Sequence, residues 1–170
     1  MTIKNQKIDE FLESVASASP TPGGGATAAL VGALAAALVE MVCNLTIGRK
    51  NYIDVEKRMI LLSAKMKELR HELMDLADAD SDAFSKVMEA YKSKDKSKIE
   101  AALFWATEVP KKVVELADEV RGLAVEVAKT GNKNAYSDAA SAEYLANAAI
   151  ESAQENIEIN IKTLASLKSG

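Results

Sequence analysis

Apolar residues recur with a helical period along almost the whole chain, and no run alternates apolar and polar residues as a strand would. Ile8, Phe11, Leu12 and Val15 mark one face of a short amphipathic segment ending near Ser17. From Ala26 to Leu45 nearly every residue is apolar or small, with no proline and a single charge, Glu40. That pattern predicts a helix buried on all sides, the central rod of a bundle or part of a subunit interface. Ala28, Gly32 and Ala36 recur every four residues and give it one smooth face for close backbone approach. Gly48 and the basic Arg49 and Lys50 read as its C-terminal stop.

The most regular pattern follows. Val55, Met59, Leu62, Met66, Leu69, Leu73 and Leu76 alternate spacings of four and three, a narrow seam on one helix face. Extended onward, the seam reaches Asp80, Ala83, Val87 and Ala90, so Asp80 holds a place that the pattern reserves for leucine. A carboxylate there must be paired, neutralised or directed at a cavity, because burying an unpaired charge is costly. Two readings follow: a helix-bridging hydrogen bond, or a site residue whose pKa is moved by its surroundings. Asp78 and Asp82 fall off the seam and are expected in solvent. Lys92–Lys98 is a charged turn, and a stripe from Ile99 to Val127 resumes the helical period, with Pro110 inside it predicting a kink. Gly131 reads as a C-cap, Ser137 or Asp138 as the N-cap of a last helix over about 139–167. The sum is one short and four long helices in a single domain over 1–170, an all-α antiparallel up-down bundle.

Composition narrows the function classes. The chain has 170 residues, a net charge of −4 and 27% charged residues, so nothing suggests the basic face that a nucleic-acid partner requires. Glu40 and Asn44 interrupt the apolar helix and no aromatic belt flanks it, which argues against a membrane span. The N-terminal residues lack the apolar core of a signal peptide, and the expected location is cytoplasmic. Cys43, the one cysteine, sits inside the apolar helix and reads as a buried structural thiol. One His and one Cys cannot assemble a usual zinc site, and no metal is expected.

The candidate chemistry lies in two places. Pro20-Thr21-Pro22-Gly23-Gly24-Gly25 leads into the apolar helix, whose first N–H groups are unpaired at the positive end of its dipole. This is either a tight turn or an anion cradle. It is not a nucleotide-binding P-loop, since no Gly-Lys-Ser/Thr follows and no strand precedes. The second place is Gly131-Asn132-Lys133-Asn134-Ala135-Tyr136-Ser137-Asp138, where capping uses only one of the Ser-Asp pair.

Taken together, these ordered motifs resemble the cyclodeaminase/cyclohydrolase family. The resemblance rests on Pro20–Gly25 and the helix after it, Gly48-Arg49-Lys50-Asn51-Tyr52, Asp80-Ser81-Asp82-Ala83-Phe84, Glu108-Val109-Pro110, and Gly131-Asn132 with Ser137-Asp138-Ala139. Ala26 departs from it, standing where that family commonly has Ser. The resemblance implies an all-α homodimer acting on a tetrahydrofolate substrate, without metal or nucleotide cofactor. It implies closure or opening of the ring between N5 and N10: cyclodeaminases expel ammonia from 5-formiminotetrahydrofolate, and cyclohydrolases add water to the methenyl carbon. Cyclodeaminase is the first expectation and cyclohydrolase its alternative, and no residue separates them. On this footing Asp80 and Asp138 are the expected acid/base carboxylates and Lys50 their electrostatic partner or proton donor. Asn132 and Ser137 would orient the pterin or substrate amide, and the N–H groups of Gly23, Gly24 and Gly25 would hold an anionic part of the ligand. A non-catalytic folate-binding homologue and a helical interaction module are the rivals. The interaction module leaves Asp80 and Asp138 apart and locally satisfied, whereas the enzyme brings both to the glycine turn.

Overall fold

The computed structural model describes residues 2–169. Its long elements are α1 (Ile8–Ala16), α2 (Gly24–Thr46), α3 (Glu56–Ser93), α4 (Lys96–Thr130) and α5 (Tyr136–Ser169). Short 3-10 turns cover Ile3–Asn5, Lys50–Tyr52 and Lys133–Ala135, and no strand occurs among the described residues.

The expected all-α bundle is present, with α2 packed against α3, α4 and α5. The α3 seam is buried at Met59, Leu62, Met66, Leu69 and Leu73, then again at Ala83, Val87 and Ala90. The alanines of α2 close-pack, and Gly32 gives room to Leu73 and Ala149, whose atoms would stand 3.3 Å and 3.7 Å from an added Cβ. Glu40, the lone charge of α2, pairs with Arg70 of α3 at 3.1 Å, and Ser63 donates to the Asn44 side chain at 2.9 Å. Cys43 is fully buried, and burial pushes its thiol up to about 11, in keeping with a structural role.

Several boundaries differ from the sequence expectation. α2 is not buried on all sides: Leu34 is 59% exposed, with Met41 and Leu45 beside it on the open face. A helix this apolar is also long enough to cross a membrane, although 56% of its most apolar window is buried within the bundle. The charged turn contracts to Lys94 and Asp95, because Lys94 adopts a left-handed conformation and the Asp95 carboxylate accepts from the N–H groups of Ser97 and Lys98. Asp78 is not free in solvent; it is half-buried and accepts from the Ile3 N–H at 2.5 Å. Trp105 is 53% exposed and so is not part of this chain's own core. Neither Ser137 nor Asp138 caps α5, which begins at Tyr136 straight from the preceding 3-10 turn. Gly131 does cap α4, but in extended backbone; glycine is needed because a Cβ would meet the Val127 carbonyl at 2.7 Å and Val42 at 3.0 Å.

α4 continues through Pro110 without a break in helical assignment. Proline removes the N–H that would bond to the Ala106 carbonyl. Asn160 of α5 supplies the missing donor, its Nδ2 standing 2.9 Å from that oxygen. Asn160→Ala would leave the carbonyl unpaired and is expected to cost about 1–2 kcal/mol, read as a lower denaturation midpoint.

Candidate active site

Asp80 faces the glycine turn. Gly23 is extended and ends the proline-glycine segment, and Gly24 and Gly25 form the first turn of α2. The Asp80 carboxylate lies directly against Gly25: a Cβ built there would stand 2.1 Å from Oδ1 and 2.6 Å from Cγ. The Ala26 N–H donates to the carboxylate, so Asp80 caps the positive end of α2 from a neighbouring helix. Burial dominates its titration and raises its pKa above the ordinary carboxylate value, and the Ala26 bond only partly opposes this. The helix-bridging and the pKa-shifted readings of Asp80 therefore describe one arrangement.

One member of this cluster, polar where a plain surface helix needs no amide, had no role assigned from the sequence. Asn156 of α5 lies across from Gly24, its Nδ2 3.6 Å from a Cβ placed there, and donates to the Ser152 carbonyl. Asn156 and Asn160 stand four residues apart on the α5 face turned toward the bundle. The Ser81 hydroxyl, one residue beyond Asp80, is buried without a hydrogen-bond partner among the described residues.

The remaining expected residues gather elsewhere. Asn132 donates from its backbone to Thr46 Oγ1 and from Nδ2 to the Leu45 carbonyl, both at 2.9 Å. This ties the second polar turn to the C-terminal end of α2. Lys50 and Asn132 line a cavity of about 340 Å³ there, together with Arg49, Asn51, Tyr52 and Asn134. Ser137 is exposed and Asp138 half-buried in the first turn of α5, and neither lines that cavity. α5 runs antiparallel to α2, with Asn156 beside Gly24 and Ala149 beside Gly32, so its start lies at the end of α2 farthest from Gly25. Twenty residues of helix separate Gly25 from Leu45, about 30 Å at the α-helical rise. Within one chain Asp80 and the glycines meet, while Lys50 and Asn132 line a cavity at the far end of α2 and Ser137 and Asp138 lie toward that end, outside the cavity. The expected convergence of Asp80 and Asp138 on one cavity does not occur in a single copy, because antiparallel packing sends the two loops to opposite ends. No group of three or more His, Cys, Asp or Glu side chains suited to a metal ion occurs among the described residues.

Known proteins decide the lineage. The sequence profile of formiminotransferase-cyclodeaminase matches residues 7–168. The chain belongs to the formiminotransferase-cyclodeaminase family. It is 43% identical over 169 residues to a methenyltetrahydrofolate cyclohydrolase of Methylorubrum extorquens, covering 94% of this chain and 81% of that protein. It is 31% identical to the formimidoyltransferase-cyclodeaminase of Mus musculus, covering 91% of this chain but only 30% of that longer protein. Among solved structures, a formiminotetrahydrofolate cyclodeaminase from Thermotoga maritima superposes with a TM-score of 0.92 at 38% identity, covering 98% of this chain and 85% of that one. The family is one of folate one-carbon cyclohydrolases and cyclodeaminases, and its all-helical fold is the one observed.

Proposed function

We propose that this chain acts on the one-carbon unit bridging N5 and N10 of tetrahydrofolate, with Asp80 as the proton-transferring carboxyl. The observation that carries this is a half-buried carboxyl group set against the glycine end of α2, with its pKa raised by the loss of solvent. The 43% identical relative named a cyclohydrolase, matched over 81% of its length, supports water as the nucleophile. Asp80 takes a proton from water as its oxygen bonds to the methenyl carbon. The C–N5 bond then breaks, N5 takes up a proton, and the formyl group remains on N10. The second reading is the cyclodeaminase one, favoured by the Thermotoga maritima structure. Here N10 attacks the formimino carbon and gives up its proton, the amino nitrogen of the adduct takes up a proton, and its C–N bond breaks to release ammonia and leave the methenyl bridge. Both readings use protein acids and bases without a metal or cofactor, and both suit a cytoplasmic enzyme.

The site is completed, in this reading, by a second copy. The open α2 face carries Leu30, Leu34, Leu38, Met41 and Leu45, an apolar stripe centred near the middle of the helix. α1 adds a second uncovered apolar face, with Ile8 80% and Leu12 59% exposed. A stripe centred in this way favours two-fold pairing of antiparallel α2 helices, a self-complementary interface. That pairing carries the Gly23–Gly25 and Asp80 end of one copy toward the Lys50, Asn132, Ser137 and Asp138 end of its partner. It reunites the groups that one chain keeps apart.

Methenyltetrahydrofolate absorbs in the near ultraviolet, and one spectrophotometer separates the readings. Loss of its absorption above the spontaneous rate marks the cyclohydrolase; its appearance from formiminotetrahydrofolate marks the cyclodeaminase. Neither change, together with no tetrahydrofolate binding, would overturn both. For the paired site, Asp80→Asn and Lys50→Ala proteins, each expected to keep on the order of a hundredth of wild-type turnover, are mixed after unfolding and refolding. Hybrid dimers keep one intact composite site, so about a quarter of wild-type activity should return. No recovery would place the whole site within one copy.

A further inference from the structure

Asp80 is not the only polar residue that interrupts a buried seam. On α5 the buried positions run Ala139, Ala142, Ala146, Ala149 and Ala153, alternating spacings of three and four. Small residues suit this seam because α5 lies close against α2, as Ala149 does beside Gly32. The next two places in the same rhythm are Asn156 and Asn160. Asparagine is bulkier than alanine and a poorer helix former, so each needs a reason.

Asn160 has a structural one, since its amide serves the Ala106 carbonyl of α4. Asn156 has none of that kind. Its side chain donates from Nδ2 to the Ser152 carbonyl, four residues back on its own helix. That carbonyl is the ordinary partner of the backbone N–H at position 156, so the extra bond ties α5 to nothing and adds little stability. What the bond does is orient the amide. With Nδ2 committed to Ser152, Oδ1 is the free end, and no group among the described residues donates to it.

The two breaks in pattern meet at one place. The Asp80 carboxyl lies against Gly25 and the Asn156 amide beside Gly24, consecutive residues whose Cα atoms are about 3.8 Å apart. α3 and α5 thus bring a carboxyl and an amide oxygen to one turn of α2, where glycines put no side chain between them. Both residues are half-buried, so each keeps an open side.

We propose that Asn156 is a second catalytic residue of the Asp80 site, its Oδ1 holding the hydrogen on the atom that joins or leaves the one-carbon centre. The proposal rests on the folate reading above and deepens it. Both reactions pass through a tetrahedral carbon bonded to N5, N10, hydrogen and one further atom, a hydroxyl oxygen or an amino nitrogen. In hydrolysis the water oxygen bonds to the methenyl carbon and one of its protons passes to Asp80. The other stays as the adduct's O–H and donates to Asn156 Oδ1. When the C–N5 bond breaks, N5 takes the proton held by Asp80, the O–H proton goes to solvent and the formyl C=O forms. In deamination the same oxygen accepts an N–H of the adduct's amino group as it departs.

The test compares full-length wild type, Asn156→Ala and Asn156→Asp by methenyl absorption in both reactions, with thermal denaturation of each protein. In Asn156→Ala, kcat of whichever reaction the wild type performs should fall about tenfold. KM should stay within about twofold, because the bond is made to the adduct rather than to the substrate. The denaturation midpoint should hold or rise, since alanine continues the seam. Asn156→Asp keeps the acceptor and places a second carboxylate near Asp80, on which no charged side chain of this chain now acts. The low-pH limb of kcat/KM should therefore move to higher pH. Wild-type kcat in Asn156→Ala would overturn the assignment and leave the folate reading standing, as would an unmoved limb in Asn156→Asp. A lowered midpoint in Asn156→Ala would also overturn it, marking a structural asparagine. A wild type that performs neither reaction would remove the folate reading and this assignment with it.

Discussion

Asp80→Asn is expected to lower turnover on the order of a hundredfold while the protein remains folded. The isosteric amide keeps an oxygen to accept the Ala26 N–H, so the cap on α2 survives while the proton-transfer group is lost. The stability effect follows from the sign of the shift. Burial raises the Asp80 pKa in the fold, so the folded state holds its proton more readily than the unfolded chain does. The contribution to stability is complete below the unfolded carboxylate pKa and is lost as pH rises through the raised folded value. Above that value the wild type carries a half-buried charge that the asparagine variant lacks. The variant should therefore denature at the same temperature as the wild type at neutral pH, or slightly higher. The wild-type pH profile gives a second reading. If Asp80 is the base, kcat/KM falls as pH drops through its raised pKa, with a limb above the ordinary carboxylate range that disappears in the variant. Turnover near that of the wild type would remove Asp80 from the mechanism.

Gly25→Ala is the complementary change, since it leaves the carboxyl chemically intact and moves it. In a helix interior alanine normally stabilises relative to glycine by up to about 1 kcal/mol. At Gly25 the new methyl would stand 2.1 Å from Asp80 Oδ1 and 2.6 Å from Cγ, closer than any real side-chain contact. The aspartate is too short to yield at its tip alone, so its carboxyl must rotate away from Ala26. Activity is expected to fall about as far as in Asp80→Asn, on the order of a hundredfold. Gly122→Ala is the control, because an added Cβ there meets nothing within 4 Å on the exposed side of α4. It should raise the denaturation midpoint and leave turnover alone. Full activity in Gly25→Ala would show that the contact between α2 and α3 has no part in the chemistry.

Much of this was legible in the chain. The four-three seam of α3 located Asp80 among buried residues, since a period of 3.5 continued from Leu76 leaves no other face for it. The glycine run located the start of α2 to within two residues. The partners were less legible. That Asp80 meets Gly25, that Asn156 lies beside Gly24 and that Asn160 satisfies the carbonyl freed by Pro110 all depend on α5 lying antiparallel to α2. Periodicity states which face of a helix is buried, but not which residue of another helix covers it. The cavity around Arg49 was hidden for the same reason. Its cations read as a helix stop, and only the bond from Lys133 to Tyr52 brings the second turn against them.

By itself, then, the sequence determined the helices, their buried faces and the family, because these follow from local spacing and from motifs whose order the chain displays directly. The tertiary structure alone decided that the expected site divides between the two ends of α2. A helix of 23 residues is a rod about 34 Å long, and residues placed at opposite ends of it can share a cavity only if another copy bridges the length.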